Sequence, residues 1–115
     1  MPITVQHSVI KSVNNLVKYK IFQEGGRRHY HVGIWVEGTS EELSNIISVE
    51  YKLHPSFAKQ IRKSENRRNK FSVTIWTWGI FQIEVTCSLK DASSLVLKHN
   101  LEYQLPNDIS QFEEV

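Results

Sequence analysis

Five histidines, one cysteine and two clusters of aromatic residues carry most of the chemical capability of this 115-residue chain. His29 and His31 stand two apart, a spacing that turns both imidazoles to one side of a strand, so two metal ligands would converge there. A third ligand is missing. His7, His54 and His99 are scattered, and a lone cysteine cannot give the tight ligand spacing of a structural zinc site. No metal and no other cofactor is expected. Cys87 shares an alternating row with Val85 and Leu89, which reads as a buried small hydrophobe and not as a nucleophile. The chain has no glycine-rich phosphate loop after a strand, no nucleophile elbow and no paired carboxylates in an apolar setting, so catalysis is not expected.

A second feature is charge. Lys59, Arg62, Lys63, Arg67, Arg68 and Lys70 fall within one short segment against the single Glu65. This reads as a basic loop, which Arg27 and Arg28 would extend if the loops met at one end. Fourteen basic against twelve acidic side chains leave a formal charge of only +2, too little for the whole-protein field of a dedicated nucleic-acid binder. A solvated connection is therefore the preferred reading, with nucleic-acid contact through Arg62, Lys63, Arg67 and Arg68 placed behind it.

The elements that must position these residues are strands. Val32, Ile34 and Val36 alternate with His31, Gly33, Trp35 and Glu37; Ile47, Val49, Tyr51 and Leu53 alternate with Ser48, Glu50 and Lys52. Phe71, Val73 and Ile75 form another row, as do Phe81, Ile83, Val85, Cys87 and Leu89. The last row is Leu95, Leu97, His99, Leu101, Tyr103 and Leu105, which places His99 among apolar neighbours and ends at Pro106. Val17 to Ile21 and Ile3 with Val5 make shorter runs. Turn residues separate the strands at 24–28, 38–41 and 90–94. Thr39 to Asn45 has the composition of one helical turn, capped by Ser40, and Asn107 to Val115 reads as a fraying polar, acidic tail. Six to eight short strands without a long helix predict one domain over 1–106, an all-β, antiparallel immunoglobulin-like sandwich.

The length suits a single core, 40% hydrophobic and 23% charged residues suit a globular fold, and no apolar run approaches the roughly 20 residues that span a bilayer. No membrane partner is expected. The single cysteine favours a reducing compartment, with the cytoplasm as default.

The most specific pattern is Val49-Glu50-Tyr51-Lys52-Leu53-His54-Pro55-Ser56-Phe57, then the basic segment, then Phe71 and Trp76-Thr77-Trp78-Gly79-Ile80-Phe81. This string resembles the YEATS domain, and the tract His31 to Gly38 with Leu97-Lys98-His99-Asn100-Leu101 resembles its prokaryotic branch most. The match runs from about Tyr30 to Leu105. The resemblance implies an immunoglobulin-like sandwich, and in eukaryotic members a reader of acylated lysine. It places a ligand pocket on His54, Ser56, Phe57, Trp78, Gly79 and Phe81, with Phe57 and Trp78 as walls and Ser56 with a main-chain N–H near Trp78 on the amide oxygen. His54 would orient Ser56 or close one wall. It also implies a context in prokaryotic immunity or stress response.

Two departures accompany the match. Thr77 stands where the family often has glycine, and the aromatic of the first long loop has only His29 and Tyr30 as nearby counterparts. The partner implied is an acylated-lysine peptide or protein. The alternative is a protein-interaction adaptor on the same fold, and the bland reading of the aromatics is that they pin two loops together. The oligomeric state is not given by the sequence.

Overall fold

Val32, Ile34, Val36, Val49, Tyr51, Val85 and Cys87 are all sealed from solvent, so the rows that alternation turned inward do meet in one core. The computed structural model describes residues 3–21, 28–57 and 59–115, without the side chain of Ile109. Within them lie β1 (Thr4–Val9), β2 (Val17–Ile21), β3 (Arg28–Glu37), α1 (Ser40–Ser44), β4 (Ile46–Lys52), β5 (Ile61–Ser64), β6 (Val73–Thr77), β7 (Phe81–Leu89), β8 (Ser94–Leu101) and β9 (Phe112–Glu114). None of the described helices is long and apolar enough to cross a membrane.

Two sheets face each other. In the first, β3 is central: β1 and β2 pair along one edge of it and β6 along the other, and β9 lies beside β2. In the second the order is β5-β4-β7-β8, antiparallel throughout. Tyr51 of the second sheet crosses the core, and its hydroxyl donates to the Phe71 carbonyl at 2.7 Å. That bond satisfies a phenol that would otherwise be stranded among apolar side chains. Phe71 is nearly sealed and sits at φ 57°, directly after Lys70 at φ 59°. These two left-handed residues turn the chain sharply from the segment after β5 into β6.

The structure departs from the sequence reading at several points. Ile47 was expected inside, yet it is exposed, because a β-bulge between Ile46 and Ser48 sets two residues of β4 against one of β7. The extra residue lets Ile46 and Val49 both face the core although they are three apart. Thr39, not Ser40, caps α1. Its hydroxyl accepts from the Glu42 N–H, and the Glu42 carboxylate accepts from the Thr39 N–H, closing both ends of a capping box. The inward row after Leu95 leaves the sheet at Leu101, beyond which Tyr103 stays half-buried as irregular chain.

The segment expected to fray instead forms a short 3₁₀ turn over 109–111 and then β9, which runs parallel to β2. Phe112 supplies the reason, since its ring packs against Tyr19 and Tyr30. The basic segment is not one loop either. It contains β5 and a 3₁₀ turn at Arg67–Asn69, and two of its lysines are paired: Lys70 with Glu37 at 3.0 Å and Lys63 with Glu65 at 3.7 Å. The turn expected at 24–28 lies outside the described residues except for Arg28, which opens β3.

Candidate functional site

The two motif segments come together at one end of the sandwich, because β4 and β6 both run toward it. The register fixes this end: Lys52 of β4 pairs with Glu84 near the start of β7, and Thr77 of β6 pairs with Tyr30 near the start of β3. Between the loop after β4 and the β6–β7 turn lies a cavity of about 160 Å³, lined by His54, Ser56, Phe57, Thr77, Trp78, Gly79, Ile80 and Phe81. All six pocket residues named from the sequence line it. Thr77 and Ile80 join them.

The floor is aromatic. Phe57 and Phe81 pack against the core with ring centroids 5.6 Å apart, and the His54 ring stands edge-on to Phe81 at 6.1 Å. Trp78 and Ile80 at the mouth leave 50% and 65% of their surface in water, which is apolar area available to a ligand. Among the described residues no carboxylate lines the cavity.

The polar groups are ordered by one short turn. Ser56 donates its main-chain N–H to His54 Nδ1 at 3.1 Å, and Ser56 Oγ lies 2.8 Å from the same nitrogen. The Ser56 main-chain N–H and hydroxyl thus both lie within hydrogen-bond distance of one ring nitrogen, which ties the His54 ring to the Ser56 side chain. The Ser56 oxygen is left with lone pairs to offer. Across the cavity, the Gly79 carbonyl accepts from the Tyr103 hydroxyl at 3.1 Å. Burial and the neighbouring Tyr30 push the Tyr103 phenol upward, against a hydrogen bond to Thr77 that lowers it. Tyr103 therefore stays a donor and fixes the turn from behind. Its position far along the chain, beyond the end of β8, hid this role from any local reading of spacing.

Thr77 is buried at the end of β6 and keeps the strand regular up to the turn. A Cβ at Gly79 would meet no atom within 4 Å, and its φ lies outside the left-handed region. Glycine here leaves space and is not demanded by the backbone.

The two stand-ins for a first-loop aromatic lie elsewhere. Tyr30 packs on Tyr103 at 6.4 Å and on Phe112, one layer behind the turn, while His29 lies in β3 opposite Lys20 of β2. His31 stacks flat on Trp76 at 4.4 Å on the outer face, and Lys20 Nζ stands 4.5 Å from the Trp76 ring centre. Burial, then Lys18 and Lys20, push the His31 pKa down. Among the described residues no group of three or more histidines, cysteines or acids could hold a metal. His99 bonds His7 across the two sheets, Nε2 to Nδ1 at 2.7 Å, and burial followed by His7 lowers its pKa. Burial raises the Cys87 thiol pKa, as befits a core residue.

The basic residues do not converge. Arg28 stands near the pocket end with its guanidinium over Tyr19, whereas Arg67 and Arg68 lie at the far end, next to the turn that leads into β6. Arg62 Nε caps the Lys59 carbonyl and Lys63 pairs with Glu65. Arg27 lies outside the described residues.

A two-sheet sandwich with an aromatic cavity between these two loops defines a YEATS-type module. The sequence profile of the prokaryotic YEATS domain matches residues 30–102, and the chain belongs to that family. Solved structures of the same fold include the YEATS domain of Yaf9, the yeast homologue of AF-9. It is matched in a complex with H3K27ac at TM-score 0.60 and 19% identity, over 91% of this chain and 76% of that one. It is matched again while recognizing an H3K122suc peptide, at TM-score 0.59 and 21% identity, over 85% and 67%. A third Yaf9 structure matches at TM-score 0.57 and 24% identity over 66% of this chain, which spans 56% of that chain's length. No curated protein is significantly similar in sequence.

Proposed function

We propose that this chain is a reader of acylated lysine, or of a closely similar acyl-bearing ligand, and not a catalyst. The cavity between Phe57, Trp78 and Phe81 carries the reading. Its 160 Å³ is well below the roughly 300–1,000 Å³ of a drug-sized site and near the roughly 150 Å³ that accepts a benzene-sized group, so it suits one side-chain tip. An acylated lysine ends in a flat, neutral amide with an apolar tail, which aromatic walls hold by area and stacking. Ser56 Oγ, its proton drawn to His54, accepts the amide N–H, and a main-chain N–H of the 78–80 turn takes the amide oxygen. The resemblance alone set Ser56 on the oxygen, whereas its hydrogen bond with His54 favours the N–H.

Unmodified lysine is disfavoured because its ammonium would lose water, and among the described residues no carboxylate lines the cavity to replace it. The Yaf9 domains of this fold, one bound to H3K27ac and one recognizing H3K122suc, support the reading. The context in prokaryotic immunity or stress response that the resemblance implies makes acylated proteins of such systems the first natural targets to try.

The test is a tryptophan-fluorescence titration with acetyl-, crotonyl- and unmodified lysine peptides, on the protein and on folded Trp78→Ala and Ser56→Ala variants. Saturation by acylated peptide alone, lost in both variants, is the expected result. Equal response to unmodified lysine, or none to any peptide at millimolar concentration, rejects the reading.

A further inference from the structure

Among the described residues the edge of β6 is chemically open. Ile10 N–H donates to the His31 carbonyl at 2.8 Å, so the main-chain groups of His31 face the β1 side of β3. Those of Tyr30, Val32 and Ile34, one residue out of phase, face β6, where their partners are Thr77, Ile75 and Val73. Thr74 and Trp76 must then turn their N–H and C=O groups the other way, and among the described residues no strand lies there. An edge of this kind is usually shielded by charge, proline or a bulge. β5, the edge strand of the facing sheet, follows that rule with Arg62 and Lys63, but Val-Thr-Ile-Trp-Thr of β6 has no charge, no proline and no glycine.

The open edge is also continuous with the cavity. Thr77 is both the last residue of β6 and part of the cavity lining, and Trp78 and Gly79 follow directly. A peptide chain with one side chain in the cavity reaches Trp76 and Thr74 within a few residues at about 3.3 Å each.

We infer that the free edge of β6 binds the residues flanking the acylated lysine, as an added strand bonded to the main chain of Thr74 and Trp76. The inference rests on the acyl-lysine reading and extends it: the cavity selects the modification, while the edge holds the ligand's backbone. Side chains of the added strand that face outward meet the ring of Trp76, which favours apolar or β-branched flanks.

Three probes test this by calorimetry: a doubly capped single acetyl-lysine, an acetyl-lysine peptide with alternating Thr and Val flanks, and that peptide N-methylated at alternate flanking amides. The plain peptide should bind about tenfold more tightly than the single residue, a gain of the size expected from a few main-chain hydrogen bonds. N-methylation should erase the gain. Hydrogen exchange at the Thr74 and Trp76 amides should slow only with the plain peptide. Thr74→Pro, which removes an N–H the native sheet does not use, should lose the gain and keep the affinity for the single residue.

If the single residue binds, loses affinity in Trp78→Ala, and matches both peptides, the edge inference falls and the reader stands. If none of the probes binds, both fall. If the Thr74 and Trp76 amides are protected without peptide in a concentration-dependent dimer, the edge belongs to a second copy and the inference is overturned.

Discussion

The Tyr103 hydroxyl lies 3.1 Å from the carbonyl oxygen of Gly79, joining the chain beyond β8 to the turn that forms one wall of the cavity. The bond fixes one peptide plane of a three-residue turn, and with it the direction of the neighbouring N–H groups. Tyr103→Phe should keep the ring packing on Tyr30 and cost about 1 kcal/mol of stability. Ligand affinity should fall further than stability alone accounts for. Chemical denaturation and peptide titration of the same variant separate the two effects.

Gly79 tests the cavity from the opposite direction. Because a Cβ there meets open space and φ lies outside the left-handed region, Gly79→Ala should leave stability within about 0.5 kcal/mol. Gly79→Leu should also fold, while its side chain takes the ligand's place and abolishes acyl-peptide binding. A destabilised alanine variant would mean that the turn needs glycine for its backbone.

Tyr51→Phe probes the contact that holds the sheets in register. Removing the hydroxyl leaves the buried Phe71 carbonyl without its donor, with an expected loss of about 1–3 kcal/mol read from the denaturant midpoint. The variant should retain peptide binding under conditions where it is folded, since the bond lies on the core side of the cavity.

Stability should also depend on pH, and in one direction. His31 and His99 both have pKa values lowered from 6.5 on folding, chiefly by burial, so the unfolded chain takes up protons more readily near that pH. Stability is complete above about 6.5 and falls as acid is added toward the folded values. A denaturant series from pH 7.5 to 5 should show that fall, and His99→Gln should flatten it. A midpoint that rises on acidification would reverse the assignment.

The sequence made the core rows legible wherever alternation was unbroken, as from Phe81 to Leu89, because a period of two translates directly into faces. It failed at Ile47, where a bulge resets the phase, and at Phe112, whose partners Tyr19 and Tyr30 are far away along the chain. The site followed the same logic. His54, Ser56, Phe57, Trp78, Gly79 and Phe81 are carried by two local motifs and were readable together. The Tyr103 clamp and the open edge of β6 arise from how strands assemble, and no single stretch of sequence encodes either of them.

The bulge in β4 makes this strand unusual in its tolerance of length. Elsewhere in a strand the loss of one residue swaps inside for outside along everything that follows. Without Ile47, however, Ile46 and Val49 would be separated by Ser48 alone and would still share the inner face, with His54 and Ser56 downstream unaltered in phase. A one-residue deletion at this position should fold and keep its cavity, whereas deletion of Glu50 should destroy both. In this strand, sequences that differ in length are expected to differ at the bulge.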